Sequence, residues 1–264
     1  MRYARITMPT ESDLERFVHD GWLRVDDAFP RAVADACREL LWREIGADPG
    51  DRATWPSPSV RLGMRTEPPF REAVKGPRLA AAIDALVGPG RWSPYIGMGT
   101  FVVRFPVPGD PGDTGWHVDA SFPGDGPDDY FRWRVNVASR GRALLALFLF
   151  SDVGEDDAPT RIRSGSHLDV ARLLAPHGEQ GLSFMEIADR LDATSARPTA
   201  TATGAAGTVY LCHPFLAHAA QAHIGTVPRF LAQPPIVPVD PIRLDRPEAD
   251  RSAVERAIDL ALEG

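Results

Sequence analysis

The sequence predicts a mainly β fold with helical decoration, in which a barrel or jelly roll carries N-terminal helices on its outside. Two observations support this prediction. From about residue 95 the chain consists of short β-prone runs bounded by Gly, Pro or Asp, whereas earlier apolar residues recur at helical spacing. Strands repeated at such intervals are typical of all-β sandwiches and barrels. With 44% hydrophobic and 25% charged residues, the composition is that of an ordinary globular protein.

The N-terminal part is predicted to hold three helices and one strand. Apolar residues at helical spacing follow a capping sequence in residues 10–19 and recur in Pro30–Ile45 and in residues 77–87. Gly21–Val25 has the composition of a short strand, and residues 46–70, rich in Asp, Pro and Gly, are predicted to form a loop.

Eight β-prone runs then form the predicted sheet region. They are Gly99–Phe105, Trp116–Phe122, Ala143–Phe150, Thr160–Arg163, Thr199–Thr203, Gly207–Cys212, Phe215–Ala219 and Arg229–Pro234. Two longer segments, Pro123–Arg142 and Leu168–Pro198, interrupt the series. Long loops on a rigid scaffold often carry function, so these inserts are candidate lids over the mouth of the barrel.

We expect residues 1–264 to form a single domain, because neither an internal repeat nor a long linker is visible. Its expected parts are a helical and loop part over 1–94, a jelly-roll core over 95–238 with inserts 123–142 and 168–198, and a C-terminal tail with a short helix over 239–264.

Charge and hydropathy exclude several classes of partner. The net charge is −7 and no basic stretch is present, so we expect no nucleic-acid partner. The longest purely apolar run, Ala143–Phe150, is far too short for a membrane span. The N-terminus lacks the apolar segment of a signal peptide, and the expected compartment is the cytoplasm. Cys37 and Cys212 form no metal-binding motif and are expected to be buried small hydrophobic residues.

A histidine and an aspartate stand two residues apart in the segment Gly-Trp-His117-Val-Asp119. Because side chains alternate along a strand, the imidazole and the carboxylate would face the same side. A second imidazole from a later strand would complete the two-histidine, one-carboxylate set that leaves open positions on a non-haem iron. Alone, the H-x-D triplet also fits a surface strand with a His–Asp pair.

A second motif could supply that imidazole. The stretch from Gly207 contains His213 and His218, and His223 follows. Arg229 comes about one strand–turn–strand unit after His218, where its planar guanidinium can face the same cavity and bind a carboxylate through two hydrogen bonds.

The order of these motifs resembles the phytanoyl-CoA dioxygenase family of 2-oxoglutarate oxygenases. The resemblance extends over about residues 12–236. Besides the H-x-D triplet it includes the N-terminal Phe17–Leu23, the Gly165-Ser166-His167 element, the H-P-x-x-x-H spacing of His213 and His218, and Arg229. It implies a double-stranded β-helix, the cupin-like form of the jelly roll, as the core.

The resemblance implies specific roles for five residues. His117, Asp119 and His218 match the iron ligands and would be the catalytic centre. Arg229 matches the arginine that binds the far carboxylate of 2-oxoglutarate, and Thr160 matches a position that often contacts the same carboxylate.

Three positions refine this interpretation. His213 matches a non-ligand of the family. Ala220 stands where several relatives have a serine that contacts the co-substrate, so one hydrogen bond is expected to be missing. The carboxylate of Asp119 argues against halogenation, since related halogenases have Ala or Gly there.

The function implied by the resemblance is an Fe(II)- and 2-oxoglutarate-dependent dioxygenase. It would use O₂ to hydroxylate or otherwise oxidise a C–H bond of a small metabolite, with release of succinate and CO₂. Two alternatives remain: a cupin-like Zn or Mn hydrolase or isomerase, and a non-catalytic relative that binds a small ligand. The sequence leaves open the substrate, the oxidation outcome and the oligomeric state.

Two groups of arginines are further candidates for contact with a ligand. Arg132, Arg134, Arg140 and Arg142 could meet an anionic substrate, or they could balance the acidic Asp125–Asp129 stretch on a solvated loop. Arg61 and Arg65 are candidates for pairing with substrate or co-substrate.

Overall fold

The N-terminal part of the chain contributes four helices and two strands. In the computed structural model, which describes residues 8–263, these elements are α1 (Glu11–Asp20), β1 (Trp22–Val25), α2 (Arg31–Ile45), β2 (Ser59–Leu62), α3 (Pro68–Ala73) and α4 (Pro77–Val87). The first helix begins at a capping box between Thr10 and Asp13. It ends at Gly21, whose φ of 82° is accessible to glycine at little cost.

The remainder of the chain holds ten strands and three helices. In chain order they are β3 (Phe101–Arg104), β4 (Arg134–Val135), β5 (Leu144–Leu149), β6 (Arg161–Arg163), α5 (Ser166–Leu174), β7 (Leu182–Ser183), α6 (Phe184–Ala188), β8 (Thr199–Thr201), β9 (Val209–Cys212), β10 (His218–Ala219), β11 (Arg229–Ala232), β12 (Pro235–Ile236) and α7 (Ala253–Glu263). The predicted short C-terminal helix is therefore present.

The strands form one large sheet and two small ones, and every pairing is antiparallel. The large sheet has the order β1-β9-β5-β11-β3-β2, and β12 also pairs with β5. A three-stranded sheet has the order β10-β6-β8, and β4 pairs with β7. This last pair joins the two predicted inserts to each other.

The two faces of the large sheet have different neighbours. Phe101 and Phe148 belong to a core cluster that also contains Phe17 of α1, Cys37 of α2 and Leu79 of α4, so the helices cover this face. Side chains of alternate residues point the other way, toward the three-stranded sheet. The predicted helices outside a sheet are confirmed, and both cysteines are buried and free.

Two of the predicted strands were wrong in part. Trp116–Phe122 is not a continuous strand: His117 and Phe122 make isolated bridges to two different partners, His218 and Arg134. Within Phe215–Ala219 only the last two residues are paired as a strand. Isolated bridges still impose extended backbone locally, which is why the β-prone sequence was misleading about length.

The predicted loop over residues 46–70 contains β2, which forms one edge of the large sheet. An edge strand is only partly buried, and its residues therefore lack the strong apolar alternation by which strands are recognised. The second insert also holds α6 and most of α5. The architecture is thus a mixture of helices and antiparallel sheets, in which helices contribute more residues than strands.

Within residues 8–263, no helix combines the length and apolar character needed to cross a bilayer.

Candidate metal centre

Three side chains with metal-binding donors converge on one side of the large sheet. The potential ligand atoms of His117, Asp119 and His218 all lie within 4.8 Å of one another. The two imidazole centroids are 4.3 Å apart, and the His117 Nε2 atom is 4.0 Å from the Asp119 Oδ1 atom. These separations suit donors that share one ion rather than three groups that bind each other.

Hydrogen bonds to the backbone fix which imidazole nitrogen is available. The Nδ1 atom of His117 lies 3.0 Å from the Gly115 carbonyl oxygen, and the Nδ1 atom of His218 lies 3.0 Å from the Leu216 carbonyl oxygen. A carbonyl only accepts, so each Nδ1 carries the proton and each Nε2 offers a lone pair. Such backbone contacts orient metal-binding histidines in many proteins.

His218 lacks a partner at the nitrogen that faces the cluster. Its Nε2 atom is buried and makes no hydrogen bond. Buried polar atoms are normally satisfied, so this atom indicates a missing ligand. Burial and the neighbouring His117 lower the pKa of His218 to about 4, which keeps the imidazole neutral near pH 7 and ready to bind a metal ion.

Asp119 is held ionised although it is buried. Burial by itself opposes ionisation, but Arg142, the two neighbouring histidines and the Tyr130 hydroxyl together outweigh it, and the pKa of Asp119 falls to about 2. The Arg142 Nη1 atom is 3.2 Å from Oδ2 of Asp119, and the Tyr130 hydroxyl donates to Oδ1 at 3.3 Å. Burial and the adjacent Asp119 raise the pKa of Tyr130, so the phenol stays protonated and remains a donor.

Two imidazole nitrogens and one carboxylate form the donor set that suits ferrous iron with open coordination positions. The convergence of three donors and the buried, unpartnered Nε2 atom of His218 both fit such an ion.

A cavity of about 660 Å³ opens beside this cluster. Arg104 and Arg229 line its inner part, where β3 and β11 lie side by side. Phe131, Phe184 and Met185, from the two inserts, line it near His117. The cavity therefore has a cationic region on the large sheet and an apolar region on the inserts.

Arg229 is buried in the cationic region, with only 2% of its surface exposed. Its Nη1 atom donates to the Ala158 carbonyl, while Nε has no partner. Burial and the nearby Arg104 lower the pKa of Arg229 to about 9. A buried cation without a full set of acceptors favours an anionic ligand. Thr160 and Ala220, also singled out by the sequence, line the same cavity.

The two alternative histidines lie elsewhere. His213 is buried in the core, where its ring centroid is 4.8 Å from that of His167, and its Nδ1 atom accepts a hydrogen bond from the Phe215 amide. The Nε2 atom of His223 is 2.8 Å from the Val227 carbonyl oxygen. Geometry therefore selects His218 as the companion of His117.

The arginines of the first insert separate into different roles. Arg142 reaches Asp119, whereas Arg134 donates to the carbonyls of Gln180 and Gly181 and Arg140 lies over the Phe122 ring. Within residues 8–263 none of the four arginines forms an ion pair with the Asp125–Asp129 stretch, and contact with an anionic substrate stays a prediction. In the other group, Arg65 pairs with Glu44 and only Arg61 lines the cavity.

Sequence reasoning missed several cavity residues, among them Arg104, Asp113, Tyr130 and Phe184. The sequence did contain one indication that Arg104 belongs to the cavity, because this charged residue ends the otherwise apolar run Phe101–Arg104. Tyr130 and Phe184 gave no signal, since their positions depend on how the inserts fold over the cavity.

Comparison with known proteins shows the family. The sequence profile of the phytanoyl-CoA dioxygenase (PhyH) family matches residues 17–231, and the chain belongs to this family. Among curated proteins, none matches the chain significantly in sequence.

Several solved structures share the fold at low sequence identity. HygX from Streptomyces hygroscopicus, with nickel, 2-oxoglutarate and hygromycin B bound, is 20% identical over 85% of each chain, with a TM-score of 0.53. The epimerase SnoN, in complex with Fe3+, α-ketoglutarate and nogalamycin RO, is 20% identical over 87% of this chain and 83% of its own, with a TM-score of 0.56. EctD from S. alaskensis, with 2-oxoglutarate and 5-hydroxyectoine, is 19% identical over 88% of this chain and 77% of its own, with a TM-score of 0.54.

Proposed function

We propose that this protein is an Fe(II)- and 2-oxoglutarate-dependent dioxygenase that oxidises a C–H bond of a small metabolite and releases succinate and CO₂. The observation that carries the proposal is one arrangement: two imidazoles and a carboxylate converge beside a cavity that is also lined by the buried Arg229. Family membership and the co-substrate bound in the similar structures support it.

Each residue of the site has a proposed task. His117, Asp119 and His218 hold the iron, which together with 2-oxoglutarate and O₂ supplies the oxidising chemistry when bound. Arg229 binds the distal carboxylate of 2-oxoglutarate, and the hydroxyl of Thr160 is available to the same group. Arg142 and Tyr130 hold the Asp119 carboxylate in place, so that its orientation is set before the metal ion binds.

The apolar region supports a small-molecule substrate with apolar surface. Phe131 is 59% exposed and Met185 is 47% exposed, although large apolar side chains are usually covered. A substrate that packs on them and on Phe184 would exclude water from the metal centre. One similar structure is an epimerase, so the oxidation need not end in an alcohol, and product analysis has to include isomers.

We also infer a double-stranded β-helix as the core and a single domain over residues 1–264. The large sheet and the sheet β10-β6-β8 enclose a common apolar cluster that includes Leu147 and Ile162, as expected for the two sheets of a jelly roll.

The experiment that tests the function is an anaerobic titration of metal-free protein with Fe(II) and 2-oxoglutarate. Wild-type protein is expected to develop the visible charge-transfer band of an iron–2-oxo acid chelate, and His117→Ala protein is not. Small metabolites are then screened for substrate-dependent succinate release, with product identification by mass spectrometry.

Two outcomes would redirect the assignment. Tight binding of Zn or Mn without any effect of 2-oxoglutarate would favour the cupin-like hydrolase or isomerase. Formation of the band without succinate release from any metabolite class would favour a non-catalytic relative.

A further inference from the structure

Arg104 is a second buried arginine beside Arg229, and its surroundings are unusual. It is 1% exposed and lines the cavity. In the register of β3 and β11 it lies directly opposite Arg229, so both side chains leave the sheet on the same face. Like charges directly opposite on neighbouring strands destabilise a sheet, and burial strengthens their repulsion. Such a pair requires negative charge nearby.

The protein supplies only part of that charge. The Arg104 Nη2 atom donates to Oδ1 of Asp113, whose Oδ2 atom accepts from Arg61 at 2.7 Å. Asp113 is therefore shared between two guanidinium groups. Among the charged residues that line this part of the cavity, Arg61, Arg104 and Arg229 bring three positive charges against the one negative charge of Asp113.

The two arginines also lack hydrogen-bond acceptors. The Nε and Nη1 atoms of Arg104 and the Nε atom of Arg229 are buried without a partner. A guanidinium group has five N–H donors, and leaving buried donors of a charged group unsatisfied is costly. If Arg104 served only to hold the Asp113 loop, Arg61 would duplicate this contact and the other donors of Arg104 would have no purpose.

We propose that Arg104 is a second binding residue for the distal carboxylate of the 2-oxo diacid. Arg104 and Arg229 bind this carboxylate together. The inference rests on the proposed function and assigns Arg104 a role in co-substrate selection. One carboxylate placed between the two guanidinium groups supplies the missing acceptors and balances the charge of the buried pair. Until the co-substrate arrives, Asp113 balances part of the positive charge of Arg104.

The proposal predicts discrimination between 2-oxo acids with and without a distal carboxylate. 2-Oxoglutarate and 2-oxopentanoate have the same chain length and present the same chelating end to the metal ion, but only the first has a carboxylate at C5. Arg104→Gln is expected to weaken 2-oxoglutarate binding roughly 10- to 100-fold, the loss of a hydrogen bond to a charged group. Binding of 2-oxopentanoate is expected to stay within about twofold of wild type.

Asp113→Asn is the matched control, because it removes the negative charge beside Arg104 and leaves the guanidinium in place. If Arg104 binds the co-substrate, Asp113→Asn keeps or increases the affinity for 2-oxoglutarate, since it no longer competes for the cation. If Arg104 serves only to anchor Asp113, the two variants lose affinity to the same extent.

Dissociation constants are measured anaerobically from the charge-transfer band of the Fe(II) protein, and thermal melting checks that each variant is folded. Selective loss of 2-oxoglutarate affinity in Arg104→Gln, with the opposite behaviour of Asp113→Asn, supports the proposal. Equal loss for both 2-oxo acids, or no loss for either, overturns it. Absence of the band in wild-type protein with either acid would instead refute the proposed function, so the two failures are distinguishable.

Discussion

His117 and His218 are joined by a reciprocal pair of main-chain hydrogen bonds, in which the amide of each donates to the carbonyl of the other at 2.9 Å. The two residues therefore face each other across an isolated antiparallel bridge. Cross-strand neighbours of this kind hold their side chains close together on one face. The spacing of the two imidazoles is thus set by backbone pairing and does not depend on a bound ion.

A preformed site of this kind should bind metal ions and gain stability from them. We expect Fe(II), or Ni(II) as an oxygen-stable substitute, to stabilise the wild-type protein by about 2.7 kcal/mol when free metal is 100 times its Kd. His218→Ala should show almost none of this gain in a thermal melt. His223→Ala is the control, because its ring lies outside the cluster, and an equal loss in both variants would contradict the assignment of His218.

Arg142→Gln should destabilise the metal-free protein more than the metallated protein. Removal of one partner from a buried ion pair typically costs about 3–5 kcal/mol, because Asp119 would remain charged and uncompensated. A bound divalent ion restores positive charge beside Asp119, so the loss should be smaller in the metallated protein. Urea unfolding of both forms measures this difference, with the surface variant Arg140→Gln as control. An equal loss in both forms would mean that Arg142 acts only through packing.

Phe131→Ala should separate substrate binding from co-substrate binding. Phe131 lines the apolar region formed by the inserts, whereas Arg229 lies on the large sheet, and burying a phenylalanine under a ligand contributes about 1.5–3 kcal/mol. Once a substrate is identified by succinate release, we expect its KM to rise roughly 10-fold or more in this variant. The Kd of 2-oxoglutarate should stay unchanged. A matching loss of 2-oxoglutarate affinity would show that the insert supports the whole cavity instead.

Folding stability should fall as the pH is lowered from about 6.5. Burial lowers the pKa of His167 to about 4, whereas an exposed histidine titrates near 6.5. Between these values the unfolded chain binds a proton that the folded protein excludes, so His167 contributes a slope of about 1.4 kcal/mol per pH unit. Urea unfolding between pH 6.5 and 5 should show a smaller slope for His167→Gln. His177→Gln, at an exposed position, should keep the wild-type slope.

Local sequence patterns predicted much of the fold. The helices at α1, α2 and α4 follow from apolar spacing and capping residues, and most strands from short apolar runs. The H-x-D triplet placed His117 and Asp119 correctly side by side even though their segment is not a continuous strand, because period-two geometry needs only a few extended residues.

The sequence did not predict which residues far apart in the chain contact each other. Spacing alone allowed either His213 or His218 to join His117, and the choice depends on a turn that directs His213 into the core against His167. The contact of Tyr130 with Asp119 and the opposition of Arg104 to Arg229 likewise arise from how inserts and strands pack, which local pattern does not encode.

The pairing of β4 with β7 has a mechanical consequence for access to the cavity. It ties the two inserts into one small sheet, with Arg134 opposite Ser183 and Val135 opposite Leu182. Lifting one insert would break this pairing unless the other insert moved with it, so the two inserts form one flap. Because Tyr130 belongs to this flap and donates to Asp119, lifting the flap breaks a hydrogen bond to the candidate metal ligand. Movement of the flap would therefore change both the shape of the cavity and the hydrogen bonding of Asp119.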